Sequence, residues 1–130
     1  NKVLGSAENL PFEDNSFDNV FCCFVWRNVS DTNKALQEVY RVLRPGGKFI
    51  LLDMTRPKNS FLKMLHKIGT FKVLHLIGLL TFNLKEYRFL YKSLDFYPQP
   101  ENHLKKDTFI DLQIERMGLF NFVYLAVFTK

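Results

Sequence analysis

The feature that most constrains this 130-residue chain is the run from Phe17 to Met54. Phe17 to Val25 reads Phe-Asp-Asn-Val-Phe-Cys-Cys-Phe-Val, a near-continuous apolar stretch that fits a central strand buried on both faces. Ser30 or Asp31 then offers a helix N-cap. Leu36, Val39, Tyr40 and Leu43 fall on one helical face at i, i+3, i+4 and i+7, with Lys34 and Glu38 paired outside. Pro45-Gly46-Gly47 stops that helix and turns the chain, and Lys48 to Met54 is a second buried strand. Strand, helix, glycine turn and strand in so short a span make a βαβ unit. The two strands are expected to be parallel, with a right-handed crossover, and the class is α/β.

Around that unit, Lys2-Val3-Leu4 reads as the end of a short strand and Gly5 to Ser16 as a polar loop. From Asn59 to Tyr97 the pattern turns helical. Phe61, Leu62, Leu65 and Ile68 mark one helix, and Val73, Leu74, Ile77 and Leu80 a second. Tyr87, Leu90, Tyr91 and Leu94 mark a third, with Gly69 and Gly78 as interruptions and Pro98 and Pro100 as breaks. Thr108 to Met117 reads as a further helix stopped by Gly118, and Phe120 to Phe128 as a last strand.

Composition removes several classes. With 47% apolar and 24% charged residues the chain is ordinary globular material, not a disordered one. Its longest apolar stretch, Phe71 to Phe82, carries Lys72 and His75 and falls short of the ~20 residues a spanning helix needs. The two cysteines, Cys22 and Cys23, are adjacent and form no disulfide framework. They are expected in the core, inert, in a protein of the reducing cytoplasm. His66, His75 and His103 are scattered, without a Cys or carboxylate at ligand spacing, so no metal site is expected.

Charge is uneven. Residues 1–55 hold 6 Lys+Arg against 7 Asp+Glu, whereas residues 56–130 hold 12 against 6. A basic, aromatic half suits a nucleic-acid surface, an anionic membrane surface or a solvated face. Nucleic-acid binding has no motif behind it and is not expected.

In open parallel sheets, ligands sit outside the carboxyl ends of the strands. Two such ends qualify: Trp26-Arg27-Asn28 after the first strand, and Asp53-Met54-Thr55-Arg56 after the second. A helix cap and a rim salt bridge would equally explain the first. The loop Gly5-Ser6-Ala7-Glu8 lies on the same side, with a glycine that permits close backbone approach. Gly46-Gly47 ends a helix and does not cradle a phosphate.

Several segments together resemble a known family. Gly5-Ser-Ala-Glu-Asn-Leu-Pro-Phe-Glu-Asp-Asn-Ser-Phe-Asp18 looks like the segment after the third strand of class I S-adenosylmethionine (SAM) methyltransferases. Arg27-Asn-Val-Ser-Asp31, Lys34 to Gly47, and Tyr87-Arg-Phe-Leu90 with Ser93 resemble the UbiE/MenG branch, which methylates a ring carbon in ubiquinone and menaquinone biosynthesis. The resemblance implies a partial Rossmann-like sheet, the C-terminal part of a methyltransferase domain over residues 1–130, with 56–97 as an inserted helical cover over the substrate. It implies SAM as cofactor, Ser6 and Ala7 against its adenine, and Arg27 and Asn28 as the catalytic pair facing methyl donor and quinol ring. Tyr87 and Ser93 would bind the substrate, a lipid-tailed quinol, with peripheral contact at the membrane.

Departures from the family are equally specific. Ser6 stands where many relatives carry an acid, His75 where relatives often have Pro, and residues 103–109 look expanded. The family's Gly-rich cofactor loop is expected before Asn1, and its closing strand hairpin after Lys130. Unpaired sheet edges would then call for a homo-oligomer or for pairing with that N-terminal half. The alternative is a non-catalytic, methyltransferase-like remnant serving as an interaction module.

Overall fold

A computed structural model describes residues 2–104 and 108–130. Strand β1, Phe17–Cys23, leads through a 3-10 turn at Trp26–Asn28 to helix α1, Thr32–Val42, and strand β2, Leu43–Met54. Helices α2, Ser60–Leu80, α3, Leu84–Phe96, and the single turn α4, Pro100–His103, follow. Strand β3, Asp111–Met117, a 3-10 turn at Leu119–Asn121 and strand β4, Val123–Thr129, complete the order. The sheet has the order β1-β2-β4-β3. β1 and β2 are parallel, as the βαβ pattern requires, whereas β4 runs antiparallel to both of its neighbours.

The local causes are readable. Asp31 caps α1, its carboxylate accepting from the Lys34 N–H at 3.0 Å. α1 buries Ala35, Leu36, Val39 and Val42 against the sheet. On the covered face of β2, Phe49 and Leu51 meet Tyr124, Ala126 and Phe128 of β4, with Trp26, Leu104 and Phe109 closing the core. Arg41 fastens the loop before β1, with hydrogen bonds to Glu38, Asp14 and the carbonyls of Leu10 and Phe12. Asn59 caps α2 by accepting from the N–H groups of Phe61 and Leu62.

Several expectations need correction. Lys2–Leu4 form no strand; the bridge there joins Ser6 to Asn9, and Leu4 is exposed. Among the described residues β1 pairs only with β2, and one of its faces is uncovered: Phe21 and Cys23 are exposed and only Cys22 of the two thiols packs on the core. Gly69 does not interrupt anything: α2 runs unbroken across it. Gly78 lies inside the same helix, where a Cβ would sit 3.1 Å from Leu84 Cα, so its bareness lets α3 approach.

Residues 111–117 are strand, not helix. Ile110, Ile114 and Met117 have helical spacing, but Leu112 and Ile114 alternate with Gln113 and Glu115, and pairing with β4 selects the period of two. The closing hairpin expected beyond Lys130 is thus inside the chain, as β3 and β4. Of the expanded stretch 103–109, residues 105–107 lie outside the described residues.

Two glycine variants separate packing from propensity. A methyl at Gly69 meets open space, so Gly69→Ala should stabilise by about 0.5–1 kcal/mol. At Gly47 a Cβ would stand 2.8 Å from the Arg44 carbonyl oxygen and 2.9 Å from that of Asp18, so Gly47→Ala should destabilise by about 1–3 kcal/mol. Urea unfolding should show shifts of opposite sign.

Candidate functional site

The parallel strands β1 and β2 end side by side, Cys23 opposite Leu52, with Asp53 and Met54 just beyond. Asp53 follows Phe49 and Leu51 on the covered face and is fully buried. A carboxylate there must be compensated. The 3-10 turn supplies the compensation: the Arg27 N–H donates to Asp53 Oδ2 at 3.0 Å, and Arg27 Nη1 makes an ion pair with Oδ1. The Met54 N–H adds a third donor at 2.8 Å. Arg27 Nε reaches across to Ser93 Oγ of α3 at 3.2 Å, and that hydroxyl donates to the Leu90 carbonyl. The arginine side chain is 7% exposed. Trp26, beside it, packs on Phe49, and its buried Nε1–H has no hydrogen-bond partner among the described residues.

One residue beyond Thr55 lies a second buried guanidinium. Arg56 donates to Asp95 at 2.9 Å, to Thr70 at 2.8 Å and to the Tyr91 carbonyl at 3.2 Å, and stands 4.8 Å over the Tyr91 ring. Its Nη1 also meets His66 Nδ1 at 3.2 Å. Arginine can only donate, so His66 accepts at Nδ1 and is neutral. Burial, reinforced by the Arg56 charge, pushes the His66 pKa down. Burial raises the Asp95 carboxyl, but hydrogen bonds from Lys67 and Arg56 outweigh it and the net shift is downward.

A polar patch also lies beneath Asp53. Burial drives the Tyr97 and Tyr124 phenols up, and Cys22, half-buried near the same carboxylate, is pushed up to about 11. That thiol is protonated and unreactive, as the sequence suggested. His103 Nδ1 donates to the Gln99 carbonyl at 2.8 Å, which leaves Nε2 as the acceptor for the Tyr97 hydroxyl. Burial lowers the His103 pKa.

The sequence-predicted residues divide into groups. Arg27 and Ser93 are brought into contact. Asn28 is exposed, its backbone N–H closing the turn on the Val25 carbonyl. Ser6 is exposed and donates to Glu8, while Ala7 packs against the core cluster. Glu8 in turn accepts from the N–H groups of Ser30 and Asp31. These bonds, led by that from Ser6, hold its pKa at about 2 and tie the loop to the start of α1.

Tyr87 lies apart from the ion pair, in a cavity between α2 and α3 lined also by Phe71, Leu74 and Tyr91. A larger cavity, about 490 Å³, lies between α2 and the turn before β4 and is lined by Leu65, Ile68, Val73, Leu119, Phe120 and Phe122. Residue patterns marked the strand end that carries Asp53 and Arg56 but not the partners of these two residues, and did not single out the Tyr97–His103 pair. The available signal was a charge interrupting the apolar strand 48–54 and another one turn past its end. No group of three metal-ligating side chains occurs among the described residues.

Comparison with known proteins gives a consistent picture. The profile described as the ubiE/COQ5 methyltransferase family matches residues 1–124. The ubiquinone/menaquinone biosynthesis C-methyltransferase UbiE of Rickettsia bellii (strain OSU 85-389) is 46% identical over 100 residues, covering 76% of this chain and 40% of that protein. The protein of the same name from Rickettsia prowazekii is 41% identical over 101 residues, covering 77% and 41%. The chain therefore spans about two fifths of the length of these relatives.

Among solved structures, a SAM-dependent methyltransferase of Thermotoga maritima, titled a possible histamine N-methyltransferase, superposes with a TM-score of 0.63 at 21% identity. That match covers 97% of this chain and 62% of that one. The MccD protein gives 0.52 at 15% identity, covering 97% and 65%. At these identities the structural matches speak for the fold, a Rossmann-like α/β sheet.

Two measurements check the electrostatics. Asp53→Asn strands a buried guanidinium and should cost about 3–5 kcal/mol, whereas replacing both partners, Arg27→Met with Asp53→Leu, should cost less than the single change. The folded state holds His66 and His103 below the unfolded value of about 6.5, so it binds fewer protons than the unfolded chain. Their contribution to stability is complete above about pH 6.5 and is lost as pH falls from there through the folded values. The urea midpoint should therefore drop between pH 7 and 5, and His66→Asn, which keeps an acceptor, should flatten that slope.

Proposed function

The chain belongs to the ubiE/COQ5 methyltransferase family, and we propose that it forms the acceptor-binding part of a SAM-dependent methyltransferase that C-methylates a quinol-type ring in ubiquinone or menaquinone biosynthesis. The observation that carries this reading is the Arg27–Asp53 pair held at the carboxyl end of the parallel strands and touched by Ser93 from the helical segment above. SAM, when bound, supplies an electrophilic sulfonium methyl. The residues at this end fit such a group: Ser6 and Ala7 form a small-residue loop braced by Glu8, and Trp26 offers a buried N–H that has no partner among the described residues.

A quinol ring carbon becomes nucleophilic when a neighbouring hydroxyl loses its proton. Arg27, with Nη1 on Asp53 and Nε on Ser93, is fixed before substrate arrives, and its Nη2 edge would stabilise the phenolate without reorganisation. Asn28, exposed beside it, would orient the ring. Ser93 would act on the substrate through Arg27, and Tyr87 would line the route between α2 and α3. Positioning of the two reactants then supplies most of the remaining effect. Residues 56–97 serve as the cover of this domain.

The substrate's apolar tail fits the cavity between α2 and Phe120 and Phe122. Around it, Phe61, Met64, Leu65, Ile68, Leu76 and Leu79 of α2 are exposed, and Phe82 at the α2–α3 corner is 95% exposed. Lys63, Lys72, Lys85 and Arg88 share this region with one acid, Glu86, beyond the paired Asp95. An apolar face with cations suits peripheral contact with an anionic membrane from the cytoplasmic side. No helix of the described residues is long and apolar enough to cross a membrane. The open edges at β1 and β3 suit pairing with an N-terminal half or a second copy.

Two experiments test the reading in a protein of full family length that contains this sequence. Arg27→Ala should lower turnover by about 10²–10³-fold with SAM affinity nearly unchanged. An unchanged rate would remove Arg27 from the mechanism and favour the non-catalytic interaction module. Sedimentation with phosphatidylglycerol vesicles should fall on charge reversal of Lys63, Lys72 and Lys85, whereas undiminished binding would eliminate the membrane contact.

A further inference from the structure

We infer that Arg56 is a positioning residue that latches the α2–α3 hairpin over the carboxyl end of β2 and so sets the Ser93–Arg27 contact. The inference rests on the function proposed above for the importance of that contact, though not for the latch itself. Arg56 is 1% exposed and lies two residues past β2, in backbone tied to the sheet by the Thr55 N–H on the Phe122 carbonyl at 2.7 Å. From there its guanidinium reaches both helices at once: His66 and Thr70 on α2, and Asp95 and the Tyr91 carbonyl on α3. Lys67 closes the ring by pairing with the other oxygen of Asp95 at 3.1 Å.

The two helices have little else to hold them to the sheet. Of the long helix α2 only His66 and Gly78 are buried, and of α3 only Leu94. Most of their contacts are with each other, as at Gly78 and Leu84. A helical pair with so small a buried apolar face takes its placement from directional bonds, and Arg56 supplies the largest set. Ser93 lies two residues before Asp95 on α3. Movement of α3 away from Arg56 therefore draws Ser93 from Arg27, and with it the group that fixes the guanidinium's Nε edge. The geometry also explains why arginine is used: lysine's three donors sit on one nitrogen, which cannot span acceptors that Nε, Nη1 and Nη2 of Arg56 reach on two helices.

The test uses Arg56→Gln, Arg56→Lys and Asp95→Asn in a protein of full family length containing this sequence. Amide hydrogen exchange is read separately over residues 60–96 and over β2 and β4. In Arg56→Gln the helical pair should exchange at least about tenfold faster while the strands keep their protection, the scale set by losing one hydrogen bond to a charged group. Arg56→Lys and Asp95→Asn should give smaller changes in the same segment. KM for a lipid quinol should rise in the same rank order, with SAM affinity constant.

Unchanged exchange over 60–96 in Arg56→Gln overturns the latch. If that variant loses protection in the strands as well, Asp95→Asn decides: selective loosening of the helices supports the latch, and none overturns it. Exchange is read without turnover, so a protein that transfers no methyl group would refute the proposed function while leaving this result legible.

Discussion

A buried carboxylate organises this molecule. β2 alternates Phe49, Leu51 and Asp53 on its covered face, so a charge occupies the position where a further apolar side chain would be expected. Left alone, that charge would cost several kcal/mol. The chain meets it with Arg27, and the match fixes the turn after β1 to the end of β2 through side chain and backbone together. The same guanidinium then takes a hydroxyl from α3. One acidic residue in a strand thus determines where the turn sits and what the helices above must supply.

The helical hairpin shows the complementary situation. Globular helices commonly hide an apolar stripe, and α2 instead presents much of its apolar surface outward while a buried arginine and histidine lie on its inner side. Polar bonds give this pair its position, and its apolar surface faces outward among the described residues.

Much of this was legible in the residues and some was not. The βαβ unit was clear because its signals agree: Asp31 as cap, Leu36 and Val39 on one face, and an apolar strand on each side, although Gly46 and Gly47, read as the turn, lie inside β2, which begins at Leu43. Arg27 and Ser93 were found through family-like segments sixty-six positions apart, and they touch. The failures share a cause. Residues 111–117 satisfy helical and strand spacing at once, and only the partner β4 decides between them. Gly69 looks like a break but sits where a side chain would have open space, so it costs the helix little. Asp53 and Arg56 carry the site's electrostatics, yet their partners lie 26 and 39 residues away in sequence, a distance local patterns do not span.

The position of β4 has a consequence for how the sheet is assembled. It comes later in the chain than both strands it joins, yet it lies between them, and β3 reaches β2 only through it. During synthesis β2 must therefore wait beside the ribosome with one row of amide and carbonyl groups unclaimed, until the strand that fits the gap emerges. Closure depends on contacts between segments some seventy residues apart, such as Leu52 with Leu125, and pairing at that separation is intrinsically slow and aggregation-exposed.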